Sequence, residues 1–149
     1  MKTGSLVNIK AVVAGFVSDF VASYVFTILL SLLAAFIIAG KGYEGEDFER
    51  MLLSVMKGVP YRTFSLVAGL GFTMMGGYIA ARLANGGELF HSGAVGILNI
   101  IFGLFFINMN IAWYNFIAFI LVLPAAVMGG NIAKQRRLGQ DNLPSVPEE

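Results

Sequence analysis

Asp19 stands in an otherwise uncharged run from Ala11 to Ala39, and Ser23, four residues on, falls on the same face of a helix. A carboxyl beside a hydroxyl in such a run suits two kinds of chemistry, the binding of a cation or proton and a hydrogen-bonded pin between helices. An Asp at the centre of a membrane helix costs roughly 2.5 to 3.5 kcal/mol on insertion scales, so it requires partners. At comparable depth in other apolar runs the chain offers Thr73, Tyr78, Asn99 and Arg82, whose long stem can carry its charge toward water. Asp19, Ser23, Thr73 and Asn99 are therefore the candidate ion, proton or helix-register site. Asp19 lies nine residues beyond Lys10, about 13 Å at ~1.5 Å per residue, which keeps it short of the midplane and lowers its cost.

Other chemistry is excluded or weak. The chain has no cysteine, so thiolate nucleophiles, disulfides and thiolate metal sites are absent. One histidine, His91, cannot make a multi-histidine metal or haem site; beside Glu88, it is expected to be a headgroup-level residue paired with that carboxylate or with phosphate, a pH sensor being the other reading. There is no nucleophile–base pair, no H-E-x-x-H and no phosphate-cradling loop. Neither an enzyme nor a cofactor or metal site is expected. The basic cluster Lys134, Arg136 and Arg137 is too small for a nucleic-acid footprint, so nucleic acid is not an expected partner.

The elements that position these residues follow from composition. Of 149 residues 57% are hydrophobic and 13% charged, against about 25% charged in globular domains, so lipid is the expected solvent. Four apolar stretches, about 11–39, 64–84, 93–107 and 114–133, are the expected transmembrane helices of a single all-α domain. The first is too long for a secretory h-region and is expected to be an uncleaved anchor. In the long loop after it, Phe48, Met51, Leu52, Val55 and Val59 recur at helical spacing behind acidic residues, predicting one amphipathic interfacial helix over about 46–57, ended by Gly58 and Pro60. Residues 134–149, with their Pro and acidic content, are expected to be a disordered tail.

Topology follows from the basic residues. Lys2 and Lys10 precede the first run, Arg82 closes the second, and Lys134, Arg136 and Arg137 follow the fourth, so these anchors share one side, expected to be cytoplasmic with both termini. Trp113, Tyr114 and Phe116 then fall at the opposite face, next to the uncharged turn Asn108–Ala112. Small residues recur in every run: Gly15, Asp19, Ser23, Thr27, Ser31 and Ala35 in the first, Ser65, Gly69, Thr73, Gly77 and Ala81 in the second. Helices in lipid associate by close packing and interhelical hydrogen bonds, so these faces are expected to be turned inward. Pro124, midway through the fourth run, removes a backbone donor and is expected to bend that helix.

"MGGYIAAR" at 75–82 and "MGGNIAKQR" at 128–136 share Met-Gly-Gly-x-Ile-Ala with an offset of 53 residues, which suggests two helix hairpins related by a parallel repeat. With "AGFVSDF" in the first run and "GGYIAARLANGGELFHSGAVG" across the second and its following loop, the chain resembles a group of uncharacterised bacterial four-helix inner-membrane proteins. The resemblance implies the bacterial inner membrane and a four-helix topology, and brings no activity with it. From the residues two functions stand: a non-catalytic accessory or interaction subunit, as a homo-oligomer or in a larger membrane complex, and a small oligomeric transporter or channel for a cation or small solute that uses Asp19.

Overall fold

The computed structural model describes residues 8–84, 86–106 and 113–141. Over these the chain forms five helices, α1 (Ile9–Ala39), α2 (Gly45–Lys57), α3 (Val59–Leu83), α4 (Glu88–Phe106) and α5 (Trp113–Asp141). Four of them, all but α2, are long and apolar enough to cross a membrane, which makes the chain a helical, multi-pass integral membrane protein. Lys2, the Asn108–Ala112 turn, the Trp113 side chain and residues 142–149 of the expected tail lie outside what the structure describes.

Three boundaries differ from those expected. α3 begins at Val59, five residues before the expected start, and Pro60 falls in its first turn, where a missing N–H costs nothing. The same proline that ends α2 thus opens α3. α4 begins at Glu88 and so takes in His91 and Ser92; the carboxylate favours a helix N-terminus, and Gly86 and Gly87, at φ 136° and 66°, supply the left-handed turn before it. α5 continues through Lys134–Asp141, residues assigned from composition to the tail, because Lys134 to Leu138 are good helix formers and the stretch has no proline. Pro124 lies inside α5 on an exposed face.

α2 takes the expected place, with Glu46 and Asp47 in its first turn and Lys57 in its last, as the helix dipole favours. It is amphipathic and has no buried residue. Met51 and Val55 face α1 and the start of α3 across an apolar groove of about 330 Å³, and nearby the Ser31 and Tyr61 hydroxyls share a hydrogen bond of 3.0 Å.

α3 touches α1, α4 and α5, and α4 touches α1, α3 and α5, whereas among the described residues α1 and α5 do not meet. α3 and α4 therefore form the short diagonal of the bundle. Residue pairings give the directions: Asn8 with Leu83 and Ser31 with Tyr61 make α1 and α3 antiparallel, and Arg62 with Tyr114 and Arg136 with Tyr78 make α3 and α5 parallel. Lys10, Arg82, Lys134, Arg136 and Arg137 consequently gather at one end.

Close packing is concentrated in the half of the bundle nearest that end. A Cβ added to Gly15 would lie 2.5 Å from the Gly76 carbonyl oxygen, and one on Gly76 would lie 2.7 Å from that of Gly15, so α1 and α3 cross backbone to backbone. α5 approaches α3 in the same way, Gly77 against Ala126 and Gly129 against the Met74 carbonyl. Gly130 lies on Ser92, and Gly96 on Leu123 and Ala126, which joins α4 to α5. The two Met-Gly-Gly motifs therefore meet each other at the α3–α5 crossing. The helices before them are not equivalent, however: α4 reaches every other long helix and α1 only two of its three potential neighbours, so a simple parallel repeat does not describe the packing.

Candidate functional site

Two elements bring Asp19 to its partners. The Gly15–Gly76 crossing draws α1 against α3 one turn before Asp19, and α4, which runs parallel to α1, presents Asn99 at the same level. The Asn99 amide donates to Asp19 Oδ2 at 2.6 Å and the Ser23 hydroxyl to Oδ1 at 3.2 Å. The Thr73 hydroxyl is a further side-chain partner of the carboxyl. Asp19 and Thr73 are buried, at 3% and 5% exposure, so the four candidate residues form one cluster contributed by three helices. A carboxylate accepts up to about four hydrogen bonds, and here three donors converge on it.

The cluster is also the floor of a cleft of about 350 Å³ that all four long helices line. Ser65, Gly69 and Thr73 of α3 climb one wall, Asn115 and Ala118 of α5 another, and Arg62 with Tyr114 stand at the far end from Asp19. The Arg62 guanidinium lies over the Tyr114 ring, 4.8 Å from its centroid, an arrangement that keeps a cation against an apolar wall. The cleft exists because the helix backbones that touch near Gly15 and Gly77 diverge beyond Asp19: nothing lies within 4 Å of a Cβ placed on Gly69, which lines it. The small residues of α3 thus split, Gly76, Gly77 and Ala81 packed and Ser65 and Gly69 facing open space.

Arg62 and Asn115 are additions to the expected site, and Ser65, expected as a small packing residue, lines the cleft. Arg62 precedes the expected start of that run at residue 64, and it joins the cleft only because α3 starts at Val59. Tyr78 and Arg82, considered as partners of Asp19, bond each other instead, Arg82 Nη1 donating to the Tyr78 hydroxyl at 3.0 Å, and neither lines the Asp19 cleft. The inward stripe on α1 is also partly corrected. A four-residue step advances about 40° around a helix, so the stripe that packs on α3 at Gly15 is no longer in contact at Thr27, and Ser31 reaches α3 only through the long Tyr61 side chain. Thr27 is accordingly exposed and donates to its own helix, to the Ser23 carbonyl at 2.8 Å.

His91 differs from expectation. It is 2% exposed, and Glu88 is paired elsewhere, with Arg137 at 3.0 Å. Its Nε2 accepts from the Asn8 backbone N–H at 2.9 Å while Nδ1, 2.9 Å from the Gly87 carbonyl, donates to it, so the ring is a neutral tautomer with both nitrogens used. It ties the cap of α1 to the turn before α4. His91→Ala should leave the Asn8 backbone N–H unpaired, the Gly87 carbonyl still accepting from the backbone N–H groups of residues 90 and 91, and lower stability by about 1–3 kcal/mol, with the earliest hydrogen exchange at Asn8 to Val12; exchange spread evenly over all helices would contradict this role.

Among the described residues no group of three or more histidine or acidic side chains could hold a metal ion. Compared with protein-family models, curated proteins and solved structures, the chain matches none.

Proposed function

We propose that the protein is a non-catalytic subunit of a membrane assembly, formed with further copies of itself or within a larger complex, that associates through the splayed half of its bundle. The contrast between the two halves carries this reading. On α3, Gly76 and Gly77 below the level of Asp19 meet a neighbouring helix, whereas Gly69 and Gly71 above it meet nothing, and there α1 exposes Tyr24, Ile28, Leu29 and Leu32. Lipid gains nothing from glycine or serine over larger side chains, but a second helix does, because small residues let backbones approach. On this reading the end holding Lys10, Arg82, Lys134, Arg136 and Arg137 is cytoplasmic, in a bacterial inner membrane, and α2 lies at the opposite interface.

Because the chain lacks cysteine, single substitutions report cleanly. Ser65→Cys should give oxidative cross-links in native membranes, to a second copy or to a partner identified by mass spectrometry. Cross-link-free protein that purifies from those membranes as a monodisperse monomer would end this reading. Labelling of Lys134→Cys and Glu44→Cys from opposite faces of the membrane checks the orientation.

One observation favours a second function, a small oligomeric transporter or channel: Asp19 is the carboxyl at the floor of a cleft with hydroxyl and amide walls. There Asp19→Asn should abolish cation- or proton-dependent flux in liposomes while leaving assembly intact. Flux unchanged by the substitution removes the transport reading.

A further inference from the structure

At the end of the bundle opposite the Arg62–Tyr114 pair, a polar pocket of about 330 Å³ opens between α3 and α5. Tyr78 and Arg82 line it from α3, Arg136, Arg137 and Gln140 from α5, and Glu88 from the start of α4. Arg82 Nη1 and Arg136 Nη1 both donate to the Tyr78 hydroxyl oxygen, at 3.0 and 3.4 Å, and the Arg136 guanidinium also lies 5.7 Å from the Tyr78 ring centroid. Two cations from different helices therefore converge on one neutral atom. Glu88 is engaged with Arg137, and among the described side chains neither Arg82 nor Arg136 forms an ion pair. A phenol oxygen has two lone pairs and one proton; with both lone pairs accepting from guanidiniums, its O–H is left to donate. The pocket thus presents two guanidinium forks and a hydroxyl donor to one point, with a net positive field at the level where α3 ends at Leu83.

We propose that this pocket binds a phosphate-bearing anion, its oxygens held by Arg82 and Arg136 and receiving a hydrogen bond from Tyr78. Guanidinium forks match phosphate oxygens in pairs, which an ammonium cannot do. Basic pockets between membrane helices at headgroup depth hold anionic lipid headgroups in this way. The same chemistry would accept a soluble phosphate, and the site needs neither the Asp19 cleft nor any assembly.

The full chain in phosphatidylcholine vesicles containing a minor fraction of phosphatidylglycerol distinguishes the sources. Retention of phosphatidylglycerol by native mass spectrometry, and the rise in melting temperature it produces, should be clear for the unaltered protein. Surface charge near an anionic headgroup is worth about fivefold in binding per arginine, so Arg82→Gln/Arg136→Gln should lose roughly thirtyfold. Arg82→Lys/Arg136→Lys, which keeps that charge and loses the forks, should bind several-fold more weakly than the unaltered protein but more tightly than the glutamine variant, and Tyr78→Phe should also lose part of the binding. Inorganic phosphate added to the protein in pure phosphatidylcholine is the second arm: stabilisation there, absent from the double glutamine variant, assigns the pocket to a soluble phosphate and still supports it. If the lysine variant binds phosphatidylglycerol as well as the unaltered chain, the attraction is diffuse charge and the proposal fails. It fails equally if neither probe distinguishes the glutamine variant from the unaltered protein.

Discussion

Gly129→Val should destabilise the bundle by about 3 kcal/mol or more, and Gly77→Val by nearly as much. The Cβ of either residue would enter the backbone of the facing helix, the Met74 carbonyl in one case and Ala126 in the other. Flexible side chains can move aside for an added methyl group, but two backbones at a crossing can only separate. Separation of α3 from α5 also unseats Tyr78 from Arg136 and, through Gly130, the seat of Ser92. Overpacking in a dense core costs about 1–3 kcal/mol, and occasionally more; contacts with backbone place these two at or above the upper end. Gly69→Ala and Gly71→Ala meet open space and should be neutral, or stabilising by about 0.5–1 kcal/mol, because alanine favours the helix. Thermal unfolding in detergent, followed by size-exclusion chromatography, separates the two pairs. Equal tolerance at all four positions would mean that α3 and α5 are not in backbone contact.

The second large effect is a sign reversal at the buried carboxyl. Asn99→Leu leaves Asp19 Oδ2 without its 2.6 Å donor and should destabilise the protein by about 1–3 kcal/mol. Asp19→Leu/Asn99→Leu, which removes both partners and fills the space with apolar atoms, should be less harmful than Asn99→Leu alone. The cycle closed by Asp19→Leu should give a coupling of about 0.6 to 1.7 kcal/mol, the range of interhelical hydrogen bonds in membranes. Additive single effects would show that the pair does not hold α1 to α4. The comparison reads the hydrogen bond and is indifferent to whether the cleft admits a solute.

The cluster around Asp19 was legible because depth is legible. Counting inward from the charged ends placed Asp19, Thr73 and Asn99 at similar levels, and the cost of a polar group in hydrocarbon left them little choice but one another. Ser23 followed from helical spacing alone. The four crossings were legible for the same reason, whereas their ends were not: taking apolar runs as helices cut off Val59–Thr63 and Glu88–Ser92, where Pro60 and Glu88 favour a helix start without being apolar. His91 could not be placed from sequence. Its Gly87 partner is four residues away, but its Asn8 partner is separated from it by 83 positions and meets it only through the packing of α1 on α4. The cleft was likewise hidden, since a small residue reads the same whether a neighbouring helix fills the space beside it or leaves it empty.

The length of α1 has a mechanical consequence. Its 31 residues extend about 46 Å, against a hydrocarbon layer of about 30 Å, and its first half is clamped by the Gly15–Gly76 crossing. A thinner bilayer must be met by leaning, and because Ser31 bonds Tyr61 and the Phe26 ring packs on Phe64 and Phe72, the distal half of α1 must lean together with α3. The two helices then tilt as one plank, and the tilt sets how far the end carrying α2 stands out of the hydrocarbon.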